Sequence, residues 1–319
     1  MEEKKPGRLS SFQVALILII CVLGLFLLAE SAYIVADSNL IPDLTPPLAN
    51  KVAVIYVDGE MVTDNVPGGL GYASSGAIVR ELREAQDDRG VKAIVLRINS
   101  PGGSPVAAQE IYGQILKTRE VKPVVVSMGD MATSAAYYIS APCTRVVADP
   151  DSWTGSIGVI WIIQNSSARY DKEGVQFYIA KSGPYKDIGA DWRGLTDEEK
   201  EYVNGMVNET FERFVDAVAE SRHMPRDKVL SLADGRVYTG ITAKQLGLID
   251  EIGGMYDAID IAARLGNISG RPEISYLNEP TLYSLLFGNE AGAPGNATML
   301  RSAGGYYQPY YSPYGRIYA

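Results

Sequence analysis

The chain has a single histidine, His223, in 319 residues. It is therefore nearly without the side chain that most often takes a proton near neutral pH, and any acid–base chemistry needs another base. Cysteine is almost as scarce. Cys21 lies in an apolar N-terminal run and Cys143 has no partner outside it, so a disulfide framework is excluded and stability has to come from the core. With so few histidines and cysteines, and no clustered ligand spacing, neither a structural nor a catalytic metal is expected. Basic residues are outnumbered, 29 Lys and Arg against 38 Asp and Glu for a net charge of −9. No basic run follows the N-terminal flank, so nucleic acid is not an expected partner.

Charge is missing altogether from Leu9 to Ala29. About 20 residues at about 1.5 Å each cross a hydrocarbon layer about 30 Å thick, so residues 9–29 are expected to form a transmembrane helix. Lys4, Lys5 and Arg8 precede it, and Glu30, Asp37 and Asp43 follow it. The positive-inside rule then leaves residues 1–8 in the cytoplasm and the rest of this single-pass cell-membrane protein outside. The run is longer than the apolar core of a cleaved signal, about 7 to 15 residues. No small residue precedes Cys21, which argues against lipid attachment there.

Residues 30–50 carry Pro42, Pro46 and Pro47 and read as an extended linker. From Lys51 short β-branched runs alternate with helical patterns. Strands are expected at Val52–Val57, Ala93–Ile98, Val124–Val126, Val146–Val147 and Gln176–Ile179, with helices at 75–87 and 105–119. That alternation predicts an α/β domain with parallel strands over 51–279. Thr196 followed by Glu199 is a capping box opening a long helix to about Arg222. Its apolar stripe, Tyr202, Met206, Phe211, Phe214 and Val218, is expected to pack into the core. Shorter helices are expected near 226–232, 242–246 and 255–265. Residues 280–319 turn to Gly, Pro, Ser, Asn and many tyrosines, too few aliphatics to offset ordering entropy, and are expected to be disordered.

The segment Met128-Gly-Asp-Met-Ala-Thr-Ser134-Ala-Ala-Tyr-Tyr138 reads as a buried strand entering a small-residue turn and a helix. Such a turn leaves the Ser134 hydroxyl available as a nucleophile. A serine needs a base, and a lysine serves only when desolvation keeps its amine neutral. Lys181 and Lys186 both lie in Lys181-Ser-Gly-Pro-Tyr-Lys186-Asp-Ile-Gly189. Lys181 directly follows the expected strand, whereas the turn residues 182–184 re-aim the chain so that Lys186 can point into a cleft. Asn99-Ser-Pro-Gly-Gly-Ser104 stands after a strand and before a helix, where glycine amides can face an oxyanion. Three parts of an acyl-transfer site thus fall in one α/β unit. Thr154-Gly-Ser156-Ile-Gly158 lacks the Lys-Ser/Thr ending of a phosphate-binding P-loop.

Taken together, Asn99-Ser-Pro-Gly-Gly103, Met128-Gly129 with Ser134 and Tyr137-Tyr138, Thr154-Gly-Ser156-Ile-Gly-Val159, Ser182-Gly183 with Tyr185-Lys186-Asp187, and Ala233-Asp-Gly-Arg-Val-Tyr238 followed by Ala243 and Leu248-Ile-Asp250 are specific. Over about residues 51 to 275 the chain resembles signal peptide peptidases of the SppA type, serine proteases of the Clp-type peptidase and crotonase superfamily. The resemblance implies that fold, with Ser134 as nucleophile, Lys186 as general base and Ser156 orienting the lysine amine. It implies an oxyanion hole from Gly102 or Gly103 and the N–H of Ala135. It also implies no cofactor, signal peptides or other apolar peptides as substrates near the membrane, and a homo-oligomeric ring. The chain departs from the family pattern at Thr133, where alanine is more usual, and at Ala135-Ala136, where glycines are common. A carboxylate at Asp130, if close to Lys186, would weaken the base. Two rival readings remain. Acyl-CoA chemistry on the same fold conflicts with an extracytoplasmic domain, and a non-catalytic scaffold or receptor is allowed by the departures beside Ser134.

The charge asymmetry sets the expected topology. Protease added to intact cells should release the domain beyond residue 37 while the N-terminus stays protected. A domain protected inside sealed cells would reverse that orientation.

Overall fold

The computed structural model describes residues 18–25, 50–64, 66, 71–278 and 316–318. Two compact units divide the chain, residues 1–48 and 49–319. In the first, the described part is a helix over 18–25 (α1), whose leucines, isoleucines and valine are exposed. Among the described residues no helix is long and apolar enough to cross a membrane. The rest of the 9–29 run lies outside the described residues, as does nearly all of the 30–50 linker.

The second unit is built on one largely parallel sheet. Its strands are β1 (Lys51–Asp58), β4 (Val91–Ser100), β5 (Val124–Thr133), β6 (Arg145–Ala148), β10 (Glu251–Ile252) and β11 (Glu273–Tyr276), in the order β10-β6-β5-β4-β1-β11. Two short parallel strands, β2 (Glu60–Val62) and β3 (Tyr72–Ser74), form a separate pair beside it. Each crossover is helical: α2 (Ser75–Asp87) leads from β3 to β4, and α3 (Pro105–Arg119) from β4 to β5. Ser104 starts α3, its hydroxyl accepting the Ala107 N–H at 3.4 Å with Pro105 in the first turn.

The strands are apolar on both faces because both faces are covered. Along β1, Ala53, Ile55 and Val57 join the larger core cluster, with Ile78 and Leu82 of α2 and Ile111 and Ile115 of α3. Val52 and Val54 point the other way, onto Ile259 and Ala262 of α9 (Met255–Leu265). This alternation is the period of two that a strand imposes.

Strand β5 has two successive neighbours on one side. Its first half pairs with β6, Val125 opposite Arg145 through Met128 opposite Ala148. Its last residues, Met131 to Thr133, pair with β7 (Trp153–Gly155), which pairs antiparallel with β9 (Val237–Thr239). Between the halves the β4–β5 register shifts, from Ile98 opposite Met128 to Ser100 opposite Ala132. Asn99 fills the resulting bulge. Its Oδ1 accepts the Met131 N–H at 3.2 Å, and a side chain at Gly129 would press on it.

Most expected elements form where the pattern places them, including α6 (Asp197–Ser221) behind its Thr196/Glu199 capping box, α7 (Arg226–Leu232) and α8 (Gly240–Leu246). Two expectations are corrected. Gln176–Ile179 is not a strand, and Tyr178 there is 94% exposed. Among the described residues its alternation meets no strand to pair with; Phe177 stacks on Trp192 at 5.5 Å and meets Tyr170 edge-on at 4.9 Å. On α6, Phe214 and Val218 are buried, but Tyr202 is 52% exposed and packs its ring on Tyr185 at 5.5 Å. Within 280–319, Arg316–Tyr318 (β12) pairs antiparallel with β8 (Ile160–Ile162), and the other residues lie outside the described residues.

Two buried side-chain atoms among the described residues, Ser74 Oγ and Glu81 Oε2, have no hydrogen-bond partner. Burial pushes the Glu81 carboxyl up to about 7, against Arg80 and with help from Glu84. The unfolded chain loses this proton near the ordinary carboxylate value while the folded chain keeps it. Stability should therefore fall as pH rises from about 4.5 to about 7, by on the order of 3 kcal/mol. Glu81→Gln should remove this slope, raising the melting temperature more at pH 8 than at pH 5. An equal shift at both pH values would show that Glu81 does not titrate in this way.

Candidate active site

Adjacency in the sheet brings three of the sequence blocks together. Asn99–Ser104 leaves β4, Ser134 ends β5, and Thr154–Ser156 belongs to β7 and its exit. β5 lies between the other two. Ser134 adopts φ 57° and ψ −125° at the strand-to-helix turn into α4 (Ala135–Ser140). A non-glycine residue in that region is strained and is held only by its surroundings. Both backbone groups of Ser134 are engaged: its N–H donates to Gly155 O at 2.8 Å and its C=O accepts from Tyr138 N at 3.0 Å. The hydroxyl makes no hydrogen bond to another described residue, and the side chain is half-buried.

The Ala135 N–H opens α4 and donates to no other described residue, the ordinary state of a first-turn amide. A second such amide lies in the glycine turn, where φ is 106° at Gly102 and 148° at Gly103. The Gly102 N–H donates to Ser100 Oγ at 3.2 Å, and the Gly102 C=O accepts from Met61 N at 2.8 Å. Since N–H and C=O of one peptide point oppositely, the Gly103 N–H faces away from Met61. It too donates to no other described residue. Glycine is needed at Gly103 because an added Cβ would collide with the Met61 backbone. Of the two glycines considered from sequence, Gly103 has the available amide.

Ser156 follows in a positive-φ conformation (49°), its N–H donating to Arg236 O at 2.8 Å. Gly155 before it has φ 78°, and the Tyr238 ring lies where a Cβ would be. The Ser156 hydroxyl is half-buried and without a hydrogen bond among the described residues.

Lys186 occupies a 3-10 turn, Pro184–Asp187, on the exposed side of the loop before α6. Its backbone N–H donates to Gly183 O at 3.2 Å, but its amine forms no ion pair or hydrogen bond among the described residues, and none links it to Ser134 or to Asp130. The neighbouring groups are all engaged. Lys181 donates to Asp187 at 2.8 Å, and Arg193 donates to Asp187 at 2.7 Å and to Glu199 at 2.6 Å. Arg193, then Lys181, holds the Asp187 carboxyl well below the usual carboxylate range against the cost of its burial. Arg193 and the Thr196 amide likewise lower Glu199. Of the two lysines in this segment, the one next to the buried carboxylate is therefore spoken for and Lys186 is free.

Asp130 is exposed and lines a cavity of about 360 Å³ with Arg97, Asp149, Asp151 and Trp153. His223 sits exposed just past the C-terminal end of α6, at φ 51°. Sequence reasoning missed three contributors. Met61 holds the glycine turn through its backbone, which leaves no sequence signal. Arg193 could have been suspected from its place between Asp187 and the capping residue Glu199. The Asn99 amide as a plug for the β5 bulge became visible only with the β4–β5 register.

The strain at Ser134 is measurable. Ser134→Gly should be more stable to urea than Ser134→Ala by about 1 kcal/mol, because glycine tolerates φ 57° and alanine does not. Equal midpoints would show that no strain is stored there.

The model of peptidase family S49 matches residues 117–269, and that of the Clp protease family matches residues 67–148. The chain is 37% identical over 228 residues to a Methanocaldococcus jannaschii protein named "Putative protease", covering 70% of this chain and 73% of that one. It is 34% identical over 244 residues to Protease 4 of Salmonella typhi, covering 76% of this chain and 39% of Protease 4. Against the chloroplastic serine protease SPPA of Arabidopsis thaliana it is 35% identical over 224 residues, 69% of this chain and 33% of that protein. With its mostly parallel sheet, its strand-to-helix serine turn and these relatives, the chain belongs to peptidase family S49 and is a serine peptidase of the Clp-type superfamily.

Proposed function

We propose that this serine peptidase is anchored in the membrane by residues 9–29 and works through a Ser134/Lys186 dyad on signal peptides and other apolar peptides. The observation that carries the proposal is the strained Ser134 turn, which presents a free hydroxyl beside the unengaged amide of Ala135, with the Gly103 amide on the adjoining turn. In the reaction, Ser134 Oγ attacks the peptide carbonyl carbon while its proton passes to the neutral Lys186 amine. The developing oxyanion is held by the Gly103 and Ala135 N–H groups, donors aimed where charge appears. Collapse expels the amine, which takes the proton back from the Lys186 ammonium. Water then attacks the acyl-enzyme with Lys186 again accepting the proton, and collapse breaks the Ser134 Oγ–acyl bond, releasing the carboxyl product as Lys186 returns the proton to Oγ. Ser156 orients the lysine amine.

Lys186 is exposed in the single chain, so the desolvation that a neutral amine needs comes from the bound peptide or from a neighbouring copy in a homo-oligomeric ring. No hydrogen bond joins Ser134 to Lys186 here, and this favours one second reading, a non-catalytic scaffold on the same fold. A fluorophosphonate probe separates the two: labelling that disappears in Ser134→Ala supports the peptidase, and no labelling of the wild type supports the scaffold.

Replacing Lys186 tests the base. Lys186→Arg should abolish hydrolysis as fully as Lys186→Met, since arginine keeps the charge but does not release its proton. Wild-type activity should rise from neutral to alkaline pH as the amine loses its proton. Substantial activity in Lys186→Arg would rule the dyad out.

A further inference from the structure

The two amides proposed for the oxyanion hole belong to different segments. Ala135 follows the end of β5, and Gly103 lies in the turn after β4, so the hole has the right width only if the two segments are held in register. Backbone pairing between β4 and β5 ends at Ser100 opposite Ala132. One residue further along each strand, the connection continues through a side chain: Thr133 Oγ1 donates to Pro101 O at 3.1 Å. Thr133 is buried, so this hydroxyl cannot exchange its partner for water without cost. It directly precedes Ser134, and Pro101 directly precedes Gly102.

The bond also completes the immobilisation of the glycine turn. The Pro101–Gly102 peptide is held at its C=O by Thr133 and at its N–H by Ser100 Oγ. The next peptide, Gly102–Gly103, is held at its C=O by Met61 N, which leaves only the Gly103 N–H free. Positive φ at both glycines makes the turn otherwise permissive. We propose that Thr133 is a positioning residue: its hydroxyl ties the Gly103 turn to the strand carrying Ser134 and so sets the spacing of the two oxyanion donors. Alanine at this place would have no group to make this tie. It rests on the oxyanion role given above to Gly103 and Ala135.

The test compares Thr133→Val, which keeps the shape and loses the hydroxyl, with Thr133→Ser, which keeps the hydroxyl. The full chain is used, with an apolar peptide substrate and a peptide aldehyde that forms a tetrahedral adduct. Thr133→Val should lower kcat about tenfold or more with KM within about twofold, because misplacing a donor by a fraction of an ångström acts on the transition state. Aldehyde affinity should fall in parallel and the melting temperature should stay within a few degrees. Thr133→Ser should retain most of kcat. An unchanged kcat in Thr133→Val, or an equal loss in both variants that tracks thermal stability, overturns the positioning role. Ser134→Ala is the control: if it hydrolyses the peptide like the wild type, the dyad itself fails and the Thr133 role falls with it. A Ser134-dependent enzyme indifferent to Thr133→Val loses only the positioning role.

Discussion

The position of β5 in the sheet constrains everything at the site. This strand pairs on one side with β4 along most of its length, and on the other with β6 and then β7. The β4–β5 register shifts between Met128 and Ala132, and there the Asn99 side chain supplies an acceptor for the Met131 N–H. Beyond the bulge, β5 is re-aimed so that its last residue meets β7 and its next one, Ser134, must turn sharply into α4. The Ser134 conformation is thus the endpoint of a pairing problem that starts five residues earlier. It is stable because Gly155 and Tyr138 fix the two peptide units that flank its Cα.

A second constraint acts on the loop before α6. Buried carboxylates at Asp187 and Glu199 would be costly alone, and Arg193 satisfies both with a planar guanidinium suited to two carboxylates at once. Because Glu199 also closes the capping box with Thr196, the ion network and the start of α6 are one structure. Its effect on chemistry is indirect. It uses up the positive charge of Lys181 and Arg193 and fixes the turn at Pro184–Asp187, leaving the Lys186 amine without a partner of its own.

Much of the core fold was legible in the sequence, since each central strand is a β-branched run buried on two faces. The long helix announced itself through Thr196 and Glu199. Reading failed where a pattern lacked its neighbour. Gln176–Ile179 alternates as a strand should, but no described residue pairs with it as a strand, and the alternation alone cannot supply an edge. Tyr202 falls on the apolar stripe of α6, yet the stripe outlasts the core it faces. At the site, Ser134 and the glycine turn stood out by residue type. The choice between Gly102 and Gly103 did not, because it depends on which amide Ser100 Oγ has already taken. The tie from Thr133 to Pro101 was equally invisible, being a contact between residues 32 positions apart.

The hydrogen bonds that hold Ser134 in its strained state come from two distances along the chain. Tyr138 is local, whereas Gly155 reaches Ser134 only once β7 has docked on β5, and β7 is itself flanked by β9 more than 80 residues further on. Contacts of such long sequence separation form late, after their loop-closure entropy has been met. The reactive geometry is therefore among the last features the chain acquires as it folds. A nascent or partly folded chain carries the serine but not the turn that exposes it, which delays any cutting power until the sheet is complete.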